Sequence, residues 1–445
     1  MVATLTSGIE VRSPWDGRLL GSVPACTVRQ VDQAVSVALD RHRGPLLPAH
    51  HRAAILDRVA DLLTPRSEEF AASISAEAGK PLSDARAEAT RAVETVRLSA
   101  AVARTLARDV LPLDAGAAGE GRIGFERRVP VGVVGAITPF NFPLDLVCHK
   151  VAPAVAAGCP VVLKPSPATP LTALGLAGLF EEAGMPPGWL NVITCTDDVA
   201  PELATHPGVA MITFTGSREV GHGLRSAAPA KRVVLELGNN APVIVEPDGD
   251  RRAAAAKVAV AGFAYSGQTC TSVQRLFVHR SVHDDFVDDL VGHVSRLKVG
   301  DPADEGTEVS SLINAAAAER VAGWVAEALA DGAVARCGGH LEEHSVVTPC
   351  VLTGVTPDMR VSHSEIFGPV VGVQAYDDFD EALALANDTR YGLQACVFTA
   401  DLGKALLAAE VLDFGGVLVN QVPTWDSWRP VVPDMMERRQ VVLSA

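Results

Sequence analysis

Apolar residues recur along this chain at two periods, and the change between them divides it. Over the first hundred residues the period is helical, with Val28, Val31, Val35 and Leu39 on one face. Pro65 suits a first helical turn and Gly79 a C-cap, which predicts a helix between them. A long Ala- and Arg-rich segment predicts another helix from Ser83 to Asp109. From Leu111 the texture changes: Gly116, Gly119, Gly121 and Gly124 punctuate a turn-rich stretch, and the run to Val129 completes a projecting two-stranded hairpin. Unpaired strand edges need a partner or protection, so an oligomer contact is expected there.

Beyond Val133 short apolar runs alternate with helical ones. Strands are expected from Val133 to Ile137, Val161 to Leu163, Asn191 to Ile193, Ala210 to Phe214 and Arg232 to Leu235. Helices from Leu144 to Ala157, Thr169 to Ala183 and Ser217 to Ala228 separate them. Such alternation implies a parallel sheet covered on both faces, and these sheets bind ligands beyond the carboxyl ends of their strands. Thr138 to Asn141, Lys164 to Ser166 and Thr215 to Gly221 all fall at such ends. A second α/β unit starts near Gly238, with strands from Val243 to Val245, near Gln274 to Val278, Val346 to Leu352 and Val370 to Ala375. Its helices are expected from Asp250 to Tyr265, Val282 to Leu297, Ala315 to Ala330 and Phe379 to Ala386.

Composition narrows the class. A chain of 445 residues holds two or three domains, and 48% apolar with 20% charged residues is a soluble enzyme's balance. No apolar run reaches membrane-spanning length, and Met1 to Arg12 lacks a basic segment followed by an apolar one, so a cytoplasmic location is expected. A net charge of −15 argues against a nucleic-acid surface. The eight cysteines are scattered with no Cys-x-x-Cys, which reads as reduced thiols and not as a disulfide frame or zinc site.

One cysteine differs from the rest. Cys270, in Ala264 to Ser272, follows a Gly267-Gln268 turn where the preceding helix should have ended. Reactive thiols need partial access and surroundings that favour the thiolate, whereas a structural cysteine sits inside an apolar period. Other candidates lie at the strand ends. Gly216 and Gly221 frame a strand-to-helix turn that could meet a phosphate or be a plain turn, since Gly-x-Gly-x-x-Gly spacing is absent. Lys164 could reach a ribose or phosphate oxygen or snorkel to the surface. Glu236, among leucines, could be a desolvated general base or a glutamate turning into solvent. Asn141, between Phe140 and Phe142-Pro143, could donate to an oxyanion or cap a turn. His340-Leu341-Glu342-Glu343-His344 matches an inverted zincin pattern, but two glycines before it and a β-branched run after it oppose the helix that a zinc site would need, so no metal is expected.

Six motifs in order resemble the aldehyde dehydrogenase superfamily from about Glu10 to Asn420: TPFNFP from Thr138, LKPS from Leu163, FTGS from Phe214, ELG around Glu236, GQTC ending at Cys270, and EIFGPV from Glu365. The resemblance implies an α/β fold with a parallel-sheet cofactor-binding domain (residues 1–110 and 132–237) and a second α/β catalytic domain (238–420). A small β-hairpin oligomerisation element (111–131 and 421–445) would complete it, in a homodimer or homotetramer. It implies oxidation of a small aldehyde with NAD or NADP through a cysteine thioester. Cys270 would be the nucleophile, Glu236 the base, and Asn141 with the Cys270 amide the oxyanion hole. Thr138, Pro139, Lys164, Ser166, Gly216, Ser217, Gly221, Leu237, Glu365 and Phe367 would border the cofactor, and Lys150 would lie near the active site. His149 and Arg97 are candidate contacts for an anionic substrate group, or packing residues of a helix surface.

Three positions depart from the family pattern. Pro167 stands where a carboxylate often excludes a 2′-phosphate, which leaves NADP open. Asn239 replaces a second glycine after Glu-Leu-Gly. After Asn420 the usual Pro-aromatic-Gly-Gly-x-Lys-x-Ser-Gly segment, a wall of the substrate funnel, is missing between Val422 and Pro433. That loss keeps two other readings in view: a binding protein on the same fold without redox activity, and a cysteine esterase or acyltransferase.

Overall fold

The computed structural model describes residues 8–106, 109–423 and 432–444. Its centre is a pair of sheets set in sequence. The first holds five parallel strands ordered Leu190–Val192, Val161–Lys164, Val133–Ile137, Val209–Thr215, Arg232–Glu236. The second holds seven, ordered Val334–Cys337, Cys350–Thr353, Val370–Tyr376, Val273–His279, Ala241–Val245, Gln394–Phe398, Gly416–Val419. Only its Val334–Cys337 edge runs antiparallel. The central strands are buried throughout, as parallel strands with both faces covered must be. One apolar core joins the helices Ala49–Leu63, Leu82–Thr105, Asp145–Ala157 and Pro170–Glu182 to one face of the first sheet, and Val31, Val35 and Ala38 of Val28–Arg43 cover the other.

Several expectations shift in detail. The hairpin of residues 111–131 becomes a three-stranded antiparallel sheet, because Arg122–Pro130 pairs with Met436–Ser444 over nine positions and with Val110–Leu111 over only two. The helix expected to reach Tyr265 is Arg251–Ala261; it ends at Gly262, and Tyr265 and Ser266 then take left-handed backbone at φ 47° and 54°. The strand expected from Val346 contracts to Cys350–Thr353, since Pro349 has no N–H to give to a ladder. His340 to His344 forms a turn bridged between Leu341 and Val347, and His344 stacks on Trp15. The strands Gln394–Phe398 and Gly416–Val419, the second at the sheet edge, and the helices Ala49–Leu63 and Leu402–Val411 were not anticipated.

Among the described residues no helix is long and apolar enough to cross a membrane, and no three His, Cys, Asp or Glu are grouped to hold a metal. The missing funnel wall, read at Val422 to Pro433, lies outside the described residues except for its ends.

Candidate active site

The two sheets meet in an asymmetric way. The first presents the carboxyl ends of its strands, and the second presents the loops that lead into its strands. Between them lies a cavity of about 570 Å³. Pro139, Phe140 and Asn141 enter it after Val133–Ile137, and Thr215, Gly216 and Ser217 after Val209–Thr215. Leu237 and Gly238 follow Arg232–Glu236, while Cys270, Glu365 and Phe367 come from loops of the other half.

Cys270 is partly exposed in this cavity. Its loop is held from behind: Ser266 Oγ donates to Ser310 O at 2.8 Å, Ile313 N donates to Gln268 Oε1 at 2.9 Å, and Tyr265 N donates to Asp84 Oδ2 at 2.7 Å. Asn141 Nδ2 donates to Gln268 O at 2.9 Å and so ties the first half to this loop. That bond takes one of two amide hydrogens and leaves the other for a ligand.

The electrostatics differ from the thiolate-favouring setting expected of a reactive thiol. Burial, then the charges of Glu365 and Glu236, push the Cys270 thiol up to about 12. Glu365 is itself raised to about 7 by burial, while the Asn239 N–H it accepts at 3.0 Å opposes the rise. Burial also raises Glu236, and the Lys150 charge opposes that. Lys150, buried and donating to Thr213 Oγ1 at 3.1 Å, is lowered to about 8 by the same burial.

The remaining candidates divide between the cavity and its surroundings. Ser217 caps the helix Arg218–Ala227, whose N-terminus opens on the cavity, and accepts from Val220 N at 3.4 Å. A Cβ on Gly216 would come within 2.6 Å of the Phe214 ring, and one on Gly221 within 2.6 Å of Leu237, so both turns need glycine for close packing. Thr138 is buried and its amide donates to Lys164 O at 3.1 Å. Lys164 is buried at its strand end and paired with Asp197, and the neighbouring Ser166 accepts from Ala168 N at 3.3 Å. Phe367 meets Phe140 edge-on at 5.9 Å.

Arg97 is corrected: it pairs with Asp61 on the outer surface and does not reach the cavity, being on the solvent face of Leu82–Thr105. His149 lies behind the cavity near Thr95 and Asp145, and burial lowers it to about 4. A second arginine on the helix Leu82–Thr105, Arg91, pairs with Asp145 at 3.5 Å and lies over the Phe142 ring, also outside the cavity lining. Only the rotational offset between positions 91 and 97 could have distinguished them. Arg320, Trp324, Arg390 and Tyr391 also line the cavity; their helical and loop positions were legible, but not which cavity they border.

The chemistry of the lining suits a dinucleotide. Thr215 Oγ1 is buried without a hydrogen-bond partner at the cavity wall, a glycine turn meets a helix N-terminus, and Lys164 closes a strand of the same sheet, one strand removed.

Comparison with known proteins agrees with this geometry. The aldehyde dehydrogenase family matches residues 2–431. A 3-sulfolactaldehyde dehydrogenase from Priestia aryabhattai is 41% identical over 95% of this chain and 88% of its own. The crystal structure of aldehyde dehydrogenase 21 from Physcomitrella patens in complex with the reaction product succinate superposes with a TM-score of 0.95 at 34% identity, over 100% of this chain and 96% of that one. Glyceraldehyde-3-phosphate dehydrogenase GapN from Methanocaldococcus jannaschii, complexed with NADP, superposes with a TM-score of 0.94 at 33% identity, over 98% of this chain and 99% of that one. The chain belongs to the aldehyde dehydrogenase family and is an NAD(P)-dependent oxidoreductase acting on aldehydes.

Proposed function

We propose that this enzyme oxidises a small anionic aldehyde to its carboxylic acid, with Cys270 as nucleophile, Asn141 as oxyanion donor and Glu236 as base. The observation that carries the assignment is the Asn141–Gln268 bond, which holds the amide beside the Cys270 loop at one cavity wall. Lys164 and Ser166 would hold the adenosine ribose; Thr138, Pro139, Gly216, Ser217, Gly221 and Leu237 would border the middle of the cofactor, and Glu365 with Phe367 its nicotinamide end. When bound, NAD(P)+ supplies the two-electron acceptor.

The steps assigned to the chain follow from its charges. With its pKa raised, Cys270 would rest as a neutral thiol, so the proton must leave as the sulfur bonds to the aldehyde carbon, and Glu236, whose charge acts on the thiol, would accept it. The oxyanion that forms takes hydrogen bonds from the second Asn141 N–H and the Cys270 amide. After oxidation Cys270 carries a thioester. Glu236 releases the thiol proton to solvent and then takes one from water, whose oxygen adds to the acyl carbon; the sulfur leaves as thiolate, recovers that proton from Glu236, and the acid departs.

The anionic class is supported by the relatives, named for 3-sulfolactaldehyde and glyceraldehyde 3-phosphate or bound to succinate. Arg91, whose guanidinium lies over the ring of Phe142, the residue after Asn141, is the cation we assign to that group in place of Arg97. His149, neutral near pH 7, would add a hydrogen bond and no charge. We assign residues 1–110 and 132–237 to cofactor binding, 238–420 to catalysis, and 111–131 with 421–445 to a homo-oligomer contact in a cytoplasmic enzyme. The non-redox scaffold and the esterase readings lose their ground, since the match runs along almost the whole of both chains.

The test is NAD(P)H absorbance with small aldehydes carrying a carboxylate, sulfonate or phosphate, set against uncharged aldehydes of equal size. Cofactor reduction that favours the anions and falls by more than about 10⁴ in Cys270→Ser is expected. Reduction of equal efficiency with uncharged aldehydes would overturn the anionic class, and full activity in the variant would overturn the nucleophile.

A further inference from the structure

We propose that Asp197 sets the dinucleotide preference of this enzyme, favouring NAD over NADP by occupying Lys164 with a carboxylate at the ribose end of the cofactor site. The proposal rests on the assignment of Lys164 to the adenosine ribose made above.

Lys164 ends the strand Val161–Lys164 with its ammonium buried, its side chain 3% exposed. A buried ammonium needs a counter-charge, and the structure supplies it from another loop: Asp197 pairs with it while remaining 81% exposed itself. Asp197 lies in the turn after Leu190–Val192, the strand next to Val161–Lys164 in the sheet. Asp198 follows it, and both aspartates act on the buried Cys195 thiol together with Lys164, which places all four groups in one neighbourhood. Glu219, in the first turn of Arg218–Ala227, adds a further negative charge at the helix N-terminus, and Arg218 is turned away to donate to Arg390 O at 3.0 Å.

A 2′-phosphate carries close to two negative charges at neutral pH and needs cations that are free to meet it. Here the cation at the ribose end is already neutralised, and accepting the phosphate would bring it against Asp197. A ribose 2′-hydroxyl has no such conflict, since the Asp197 carboxylate can accept its proton as a hydrogen bond. Pro167 removes the carboxylate commonly placed two residues after the strand-end Lys-Pro, and Asp197 restores one in space from a different loop. The position was invisible in sequence because residues 164 and 197 meet only through the pairing of neighbouring strands.

Binding of two fragments to the apoprotein tests this without turnover: 5′-ADP and 2′,5′-ADP, titrated calorimetrically at fixed ionic strength against wild type, Asp197→Asn and Asp197→Lys. Wild type should bind 5′-ADP at least about tenfold more tightly than 2′,5′-ADP. Asn should remove most of that ratio, and Lys should invert it. A ratio unchanged in both variants, with both fragments still competing with NAD, would overturn the role of Asp197 and leave the cofactor site standing. Failure of either fragment to bind any of the three proteins, or binding untouched by Lys164→Met, would overturn the site assignment and the proposal with it. Both substitutions leave the buried Lys164 ammonium without its counter-charge, so the ratios are read only from variants whose circular dichroism and thermal unfolding match a folded protein.

Discussion

The two halves that meet at the cavity hold their functional groups by different physics. In the first, Lys164 and Glu236 are the last residues of parallel strands, and Thr138 and Asn141 follow the end of another. Their positions come from the ladder itself, which fixes each strand end against its neighbours. In the second, Cys270, Glu365 and Phe367 come before the strands, in loops that no ladder holds. There the backbone is strained at Tyr265, Ser266 and Phe367, all with positive φ, and side chains pin it to its surroundings. The enzyme thus carries its proposed cofactor-side groups on regular structure, and its proposed nucleophile on a loop fixed by specific contacts that small changes can disturb.

The largest effect that separates the halves is expected at the bond joining them. Asn141→Ala removes both the amide assigned to the oxyanion and the tie to Gln268 O. A fall in kcat of about 10² to 10³ is predicted, with the affinity for cofactor unchanged. Cofactor binding measured by calorimetry alongside steady-state rates checks it; equal losses in both would mean that the bond supports the fold and not the reaction.

Gly267→Ala probes the strained half alone. At φ +69° the new Cβ would lie 2.1 Å from Gly368 O, a backbone atom that cannot swing aside. Destabilisation of roughly 1–3 kcal/mol is expected from the left-handed conformation before the clash is counted. Thermal unfolding checks the stability, and thiol alkylation rates at Cys270 report whether its loop has moved. A variant as stable as wild type would show that the loop has slack.

The same division explains what was legible in the sequence. The first-sheet strands announced themselves as short apolar runs bounded by turn residues, and Val133–Ile137 agrees to the residue. Cys270 stood out by its glycine and its broken helical period, and the order of six motifs named the partners proposed for it. Charges were harder. The raised pKa of Cys270 comes from burial and then from Glu365, ninety-five positions away, and Lys150 feels the charge of Glu236 from another element. Arg97 and Arg91 carry identical chemistry on one helix; their rotational offset puts them on different faces, and the fold shows that Arg91 is the one over Phe142. The three-stranded sheet was half visible, because the partner of Arg122–Pro130 lies at the far end of the chain.

Glu365 belongs to neither half alone, and its titration gives the smallest and most specific test. It comes from the loop before Val370–Tyr376, yet it accepts from Asn239 N in the link between the two sheets, and a Cβ on Gly238 would lie 2.0 Å from its Oε2. Burial raises it from 4.5 to about 7, so between those values the folded protein keeps a proton that the unfolded chain has lost. The stability this contributes is complete below the unfolded value and is lost as pH rises through about 7. Glu77 and Asp145, also raised by burial, move in the same direction, so wild type alone cannot isolate Glu365. The difference between wild type and Glu365→Gln does: glutamine keeps an oxygen for the Asn239 amide and never ionises. Relative to the variant, wild type should lose on the order of 1–3 kcal/mol between pH 5 and pH 8, measured by urea unfolding at each pH. A pH-independent difference would mean that the Glu365 carboxylate is ionised throughout, and then the charge it adds beside Cys270 would be permanent and not set by pH.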